Sequence, residues 1–77
     1  MTLSDLESGR AAIVKKVHGG FGLRRRLESV GVRPGGKVDI VRSGSLGGPV
    51  LLAVSGARVA IGQRQAQKVE VDLVDAR

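Results

Sequence analysis

The side chains that could carry chemistry are few. The chain has one histidine, His18, no cysteine, and seven carboxylates set against thirteen lysines and arginines in 77 residues. A nucleophile–base–orienter triad needs its base held between two partners. His18 stands beside Gly19-Gly20 at the end of a short apolar and basic stretch, where exposure is the expectation. Its spacing to the carboxylates matches no metal-ligand pattern. Glu70 and Asp72 are two residues apart and so share one face of a strand, which reads as a solvated face. Without cysteine there is no disulfide scaffold, no thiolate metal site and no thiol nucleophile. The glycine-rich stretch 44–48 lacks the lysine and hydroxyl residue that end a phosphate-binding loop, and no helix follows it, so it reads as a turn. No catalytic, cofactor or metal residue is assigned. The expectation is a protein that acts by binding and is not an enzyme.

Arg24, Arg25 and Arg26 stand out by contrast. Each helical residue turns by ~100°, so three in a row spread over a wide arc of the surface. They form either a solubilising face or a docking surface for carboxylates or phosphates, which guanidinium groups hold through paired hydrogen bonds. Leu46 lies in the glycine-rich loop with no apolar neighbour in sequence. It either folds back onto the rim of the domain or serves as an exposed apolar anchor for a partner. The net charge of +6 favours acidic partners in general. Nine of the thirteen cations fall in residues 10–42, while Glu70, Asp72 and Asp75 make the end acidic. Nucleic acid is the runner-up class of partner. Single-strand binders use stacking rings, and Phe21 is the only aromatic residue, although binding through phosphates alone escapes that objection.

These residues need elements to hold them. Residues 2–6 read as a short opening helix or turn. Residues 11–18 form a strand whose imperfect alternation leaves its inward face open. Residues 21–30 form the one clear helix, with Leu23, Leu27 and Val30 in a stripe at i, i+4 and i+7. Gly31 falls at the left-handed position after the helix, Val32 is placed to fold back on the last turn, and Pro34 blocks continuation. Strands follow at 37–42, 50–54, 57–61 and 69–73. Ser55-Gly56 forms a two-residue hairpin turn and 63–68 a polar turn with one turn of helix. In the last strand Val69, Val71 and Leu73 should face inward. The core must be aliphatic, and a small closed barrel of one domain, residues 1–77, would remove exposed strand edges. The start carries Asp5 and Glu7 and no signal peptide, and no segment reaches the 18 or so apolar residues of a membrane span. A cytoplasmic location follows as the expectation.

In order and spacing these features resemble the FeoA family of ferrous iron transport accessory proteins. The resemblance rests on TLSDLESG at residues 2–9, LRRRL at 23–27, Gly31-Val32-Arg33-Pro34-Gly35, and Leu46-Gly47-Gly48-Pro49. It spans residues 2–73. Val30 stands where methionine is common, and Ile61-Gly62-Gln63 replaces a more usual Leu-Arg stretch. The resemblance implies a mainly β, SH3-like barrel of about five strands with one helix after the first, a cytoplasmic location, and transition metal ion binding at the level of the family. It also implies a partner: FeoB, the membrane iron permease with a cytoplasmic GTPase region. The same fold forms a C-terminal domain of iron-dependent repressors, but this chain has no room for a helix-turn-helix. The resemblance assigns no cofactor.

Overall fold

The computed structural model describes residues 1–44 and 47–74. Five antiparallel strands make one sheet: β1 (Ala11–Val17), β2 (Lys37–Arg42), β3 (Val50–Val54), β4 (Ala57–Ile61) and β5 (Val69–Leu73). Their order is β4-β3-β2-β1-β5. Helix α1 (Phe21–Ser29) connects β1 to β2, the single turn α2 (Gln63–Ala66) connects β4 to β5, and a 3₁₀ turn at Leu3–Asp5 precedes β1. The fold is mainly β and SH3-like, as the resemblance implies. Strand pairing among the described residues does not close the sheet into a barrel; β4 and β5 are its two edges. The β5 edge is covered by the start of the chain. The Val71 N–H donates to the Met1 carbonyl at 2.9 Å, Thr2 bridges Glu70, and the Asp5 carboxylate holds the Thr2 N–H at 2.8 Å.

The core is one aliphatic cluster in which valine predominates, contributed by all five strands, the 3₁₀ turn and both helices. The ambiguous alternation of the first strand has a geometric cause. In the β1–β5 ladder Val14 pairs with Val71 and Lys16 with Glu70, and the register shifts between them. Lys15 is the extra residue of a bulge, so the inward parity moves by one and both Val14 and Val17 are buried. The hairpin between β3 and β4 turns through Ser55 and Gly56, both with positive φ (51° and 84°), as a type I′ turn requires. Of the β4 residues on this face, Ala57 is exposed, Val59 is half-buried and only Ile61 is buried.

Two expected core positions are corrected. Leu73 is 38% exposed because it ends an edge strand opposite the small Ala12, with a strand neighbour on one side only. Val30 is 39% exposed because regular helix stops at Ser29. Val30 is the cap residue, with ψ 9°, so it leaves the stripe formed by buried Leu27 and half-buried Leu23. The helix stop itself is as expected. The Val32 N–H donates to the Leu27 carbonyl at 2.9 Å and the Gly31 N–H to the Glu28 carbonyl at 3.0 Å, which is the Schellman arrangement with Gly31 at φ 97°.

Candidate functional site

Arg24, Arg25 and Arg26 are all exposed on α1, and the helix is fixed beneath them by Leu27 and Leu23. The strand end leading into the helix is pinned where the His18 N–H donates to the Lys68 carbonyl at 2.7 Å. The Arg25 guanidinium lies 5.5 Å from the centroid of the Phe21 ring, one helical turn back. Phe21 is 66% exposed, so this pair forms an outward-facing plate. Among the described residues the ion pairs involve only Lys15 and His18 with Glu70 and Asp72, and none engages these three arginines. Among the described residues they are thus unpaired, and they are held on a rigid element.

Leu46, the other residue singled out by sequence, lies outside the described residues. The roots of its loop are fixed. The Ser43 N–H donates to Ser8 Oγ at 2.9 Å, and the Gln63 amide nitrogen donates both to the Gly44 carbonyl and, at 3.0 Å, to the Gly48 carbonyl. Sequence reasoning missed this role of Gln63, because a glutamine in a polar turn carries no signal of what it will bridge. It also missed a groove of about 530 Å³ between the end of α1 and the β3–β4 hairpin, lined among others by Val30, Arg33, Val54, Arg58 and Val59. Val30, exposed beyond the end of the helix, forms part of its wall, where a helix stripe extended to residue 30 would have buried it.

His18 is exposed, as expected, but it is not solitary. Its Nε2 lies 3.0 Å from Glu70 Oε1. Lys15 Nζ reaches the other oxygen of Glu70 at 3.5 Å and Asp72 at 4.0 Å. The solvated face of β5 is thus a charge cluster across the β1–β5 ladder, built on the bulge residue Lys15. The His18 hydrogen bond, followed by the nearby Lys15 charge and against some desolvation, holds the Glu70 carboxyl below its usual range. A carboxyl with a depressed folded pKa contributes stability that is present above its unfolded value, about 4.3, and lost as pH falls through the folded value. Glu70→Gln should therefore shift the urea midpoint downward slightly at pH 6–7, with the difference vanishing as the pH is lowered below about 4. A midpoint difference that stays constant down to acid pH would exclude this linkage. The pair is too exposed to organise a reaction, and among the described residues no three His, Asp or Glu side chains gather as a metal-ion group.

A family model described as FeoA domain matches residues 1–73. A Methanocaldococcus jannaschii protein, provisionally named Fe(2+) transport protein A, is 36% identical over 70 residues, covering 91% of this chain and 83% of that protein. The crystal structure of Stenotrophomonas maltophilia FeoA complexed with zinc, described as a prokaryotic SH3 domain protein, superposes with a TM-score of 0.79 at 37% identity, covering 94% of this chain and 89% of that one. A Porphyromonas gingivalis protein described as a fusion of Fe(2+) transport protein A with the Fe(2+) transporter FeoB is 29% identical over 76 residues; these are 99% of this chain and 9% of the fusion. Among the described residues no helix is long and apolar enough to cross a membrane.

Proposed function

The chain belongs to the FeoA family, and from that membership we propose that it is a non-enzymatic, cytoplasmic accessory protein of ferrous iron uptake that binds and modulates a FeoB-type permease through its GTPase region. The observation that carries this reading is the Porphyromonas gingivalis relative, in which a segment similar to nearly this whole chain shares one polypeptide with a FeoB transporter. Fusion holds two domains at an effective concentration near millimolar, so even a weak contact is occupied. A separate chain must supply its own affinity, and a row of arginines on a braced helix, unpaired among the described residues, supports that role. Such cations steer an acidic partner into encounter, and their rigidity limits the entropy lost on docking. Leu46, on a loop with clamped roots, is the proposed apolar anchor.

Charges at a rim set mainly the association rate, whereas a buried apolar contact sets mainly dissociation. Reversing two arginines together, Arg24→Glu with Arg26→Glu, should slow association with the permease about tenfold or more at low salt. The deficit should shrink as ionic strength rises and the Debye length falls below about 8 Å. Leu46→Ala should instead speed dissociation. Both are read by surface-immobilised binding to the GTPase region and to the full permease. Absence of binding by either at micromolar concentration, with and without nucleotide, would end this reading. Submicromolar binding to duplex DNA that survives about 200 mM salt would replace it with a nucleic-acid role.

A further inference from the structure

The two edges of the sheet are treated differently. The β5 edge is capped by Met1 and Thr2. On the β4 edge, the residues beside the two-residue turn, Val54 and Ala57, pair first, and Leu52 with Val59 and Val50 with Ile61 follow at intervals of two. Hydrogen-bonded and non-bonded pairs alternate along an antiparallel ladder, and the pair next to a two-residue turn is a bonded one. The N–H and C=O groups of Arg58 and Ala60 therefore point away from β3. Among the described residues no turn, loop or cap hydrogen bond reaches either of them.

Bare edges are ordinarily guarded by bulges, prolines or several charges. β4 pairs with β3 without a register shift, contains no proline, and has Arg58 as its one charged residue. The groove of about 530 Å³ runs beside this strand, with Val30, Val54 and Val59 as its apolar part and Arg33 and Arg58 against the single acid Glu28. We propose that the β4 edge and this groove form a docking site for an extended, acidic segment of a partner protein, which adds to the sheet as a further strand. Side chains of an added strand alternate between faces. One set would lie over Val59, and the other beside Arg58. Small apolar residues suit the first set and carboxylates the second, which also accords with the chain's net charge of +6. The molecule already accepts a strand of this kind at its other end, where β5 (VEVDL) lays Glu70 and Asp72 against Lys15 of β1. This site is separate from the arginine row of α1 and does not depend on which protein is the partner.

The probe is a peptide of about eight residues alternating valine or threonine with glutamate, a length typical of a strand. At saturation it should slow amide exchange of Arg58 and Ala60 about tenfold or more. Methylating alternate peptide nitrogens, or replacing its glutamates by lysine, should weaken binding about tenfold or more. Ala60→Pro removes only an outward N–H, so the chain should keep a cooperative melting transition and lose the peptide. Arg58→Glu leaves every backbone group in place and should reverse the preference toward the lysine peptide, which decides the matter if the proline variant fails to fold. No protection of Arg58 and Ala60 at millimolar peptide would overturn the proposal. So would unchanged binding by the Arg58→Glu chain, or a free chain that sediments as a dimer with those two amides already protected.

Discussion

Gly31→Ala is expected to destabilise the fold by about 2–5 kcal/mol, from two causes that add. The first is conformational. Gly31 sits at φ 97°, where a residue with a Cβ is strained by about 1–2 kcal/mol. The second is steric. A Cβ at this position would lie 2.6 Å from Cγ1 of Val54, a buried residue of β3 with no freedom to swing away; forced overpacking of this kind costs about 1–3 kcal/mol. Gly35 separates the causes. It has φ 86° and nothing within 4 Å of its own ideal Cβ, so Gly35→Ala should show only the conformational part. Urea unfolding of both variants measures the difference. Shrinking the neighbour provides the second arm: combining Gly31→Ala with Val54→Ala should destabilise less than the two single changes added together. Equal losses in Gly31→Ala and Gly35→Ala would mean that Gly31 does not abut Val54 of β3.

That contact also marks the limit of what could be read from the residues alone. The helix stop was legible because a glycine, an apolar residue and a proline follow a periodic stripe, and local chemistry decides such a motif. The hairpin at Ser55-Gly56 was legible for the same reason, since two adjacent positive φ values select few residue types. That Gly31 must also lack a Cβ because of Val54, twenty-three positions away, was not legible; nothing local encodes it. Likewise the bulge at Lys15 appeared in sequence only as a broken alternation. The break was real, but its cause lies in the partner strand β5. Leu73 and Val30 were misplaced because periodicity says which face a residue shares and not where the neighbouring element ends.

The candidate site divides along the same line. Arg24, Arg25 and Arg26 stand out as a run, and a braced helix is where such a run would be useful. That no described carboxylate pairs with them could not be known before the fold set Glu70 and Asp72 against Lys15 and His18. The bare edge of β4 was invisible, because five strands in sequence do not reveal which two will lie outermost. The resemblance in sequence reached the family and not the surface, since a shared aliphatic core constrains an exposed strand edge only weakly.

Leu27→Ala should destabilise the chain by about 2–5 kcal/mol, the usual loss for a buried leucine. Leu27 is the only buried side chain of α1, and its carbonyl accepts the N–H of both Val30 and Val32 at the helix end. The truncation therefore leaves a cavity under the point where the helix is tied to the next segment. A domain of 77 residues has roughly 4–12 kcal/mol in total at 0.05–0.15 kcal/mol per residue, so this one change removes a large share. For a domain of this size each kcal/mol moves the melting temperature by about 4–8 °C, which predicts a drop of about 8 °C or more. Arg25→Ala on the same helix is the control: its side chain is exposed and loses at most the contact with Phe21, so its melting curve should hardly move. The two variants should behave in opposite ways toward a partner. Well below its melting temperature Leu27→Ala keeps all three arginines but loosens their support, so it should weaken permease binding without changing how binding depends on salt. Arg25→Ala removes a charge and should lower that dependence while stability holds. A melting temperature unchanged by Leu27→Ala would show that α1 is not braced by this leucine, and the rigidity invoked for the arginine row would then have no source in the core.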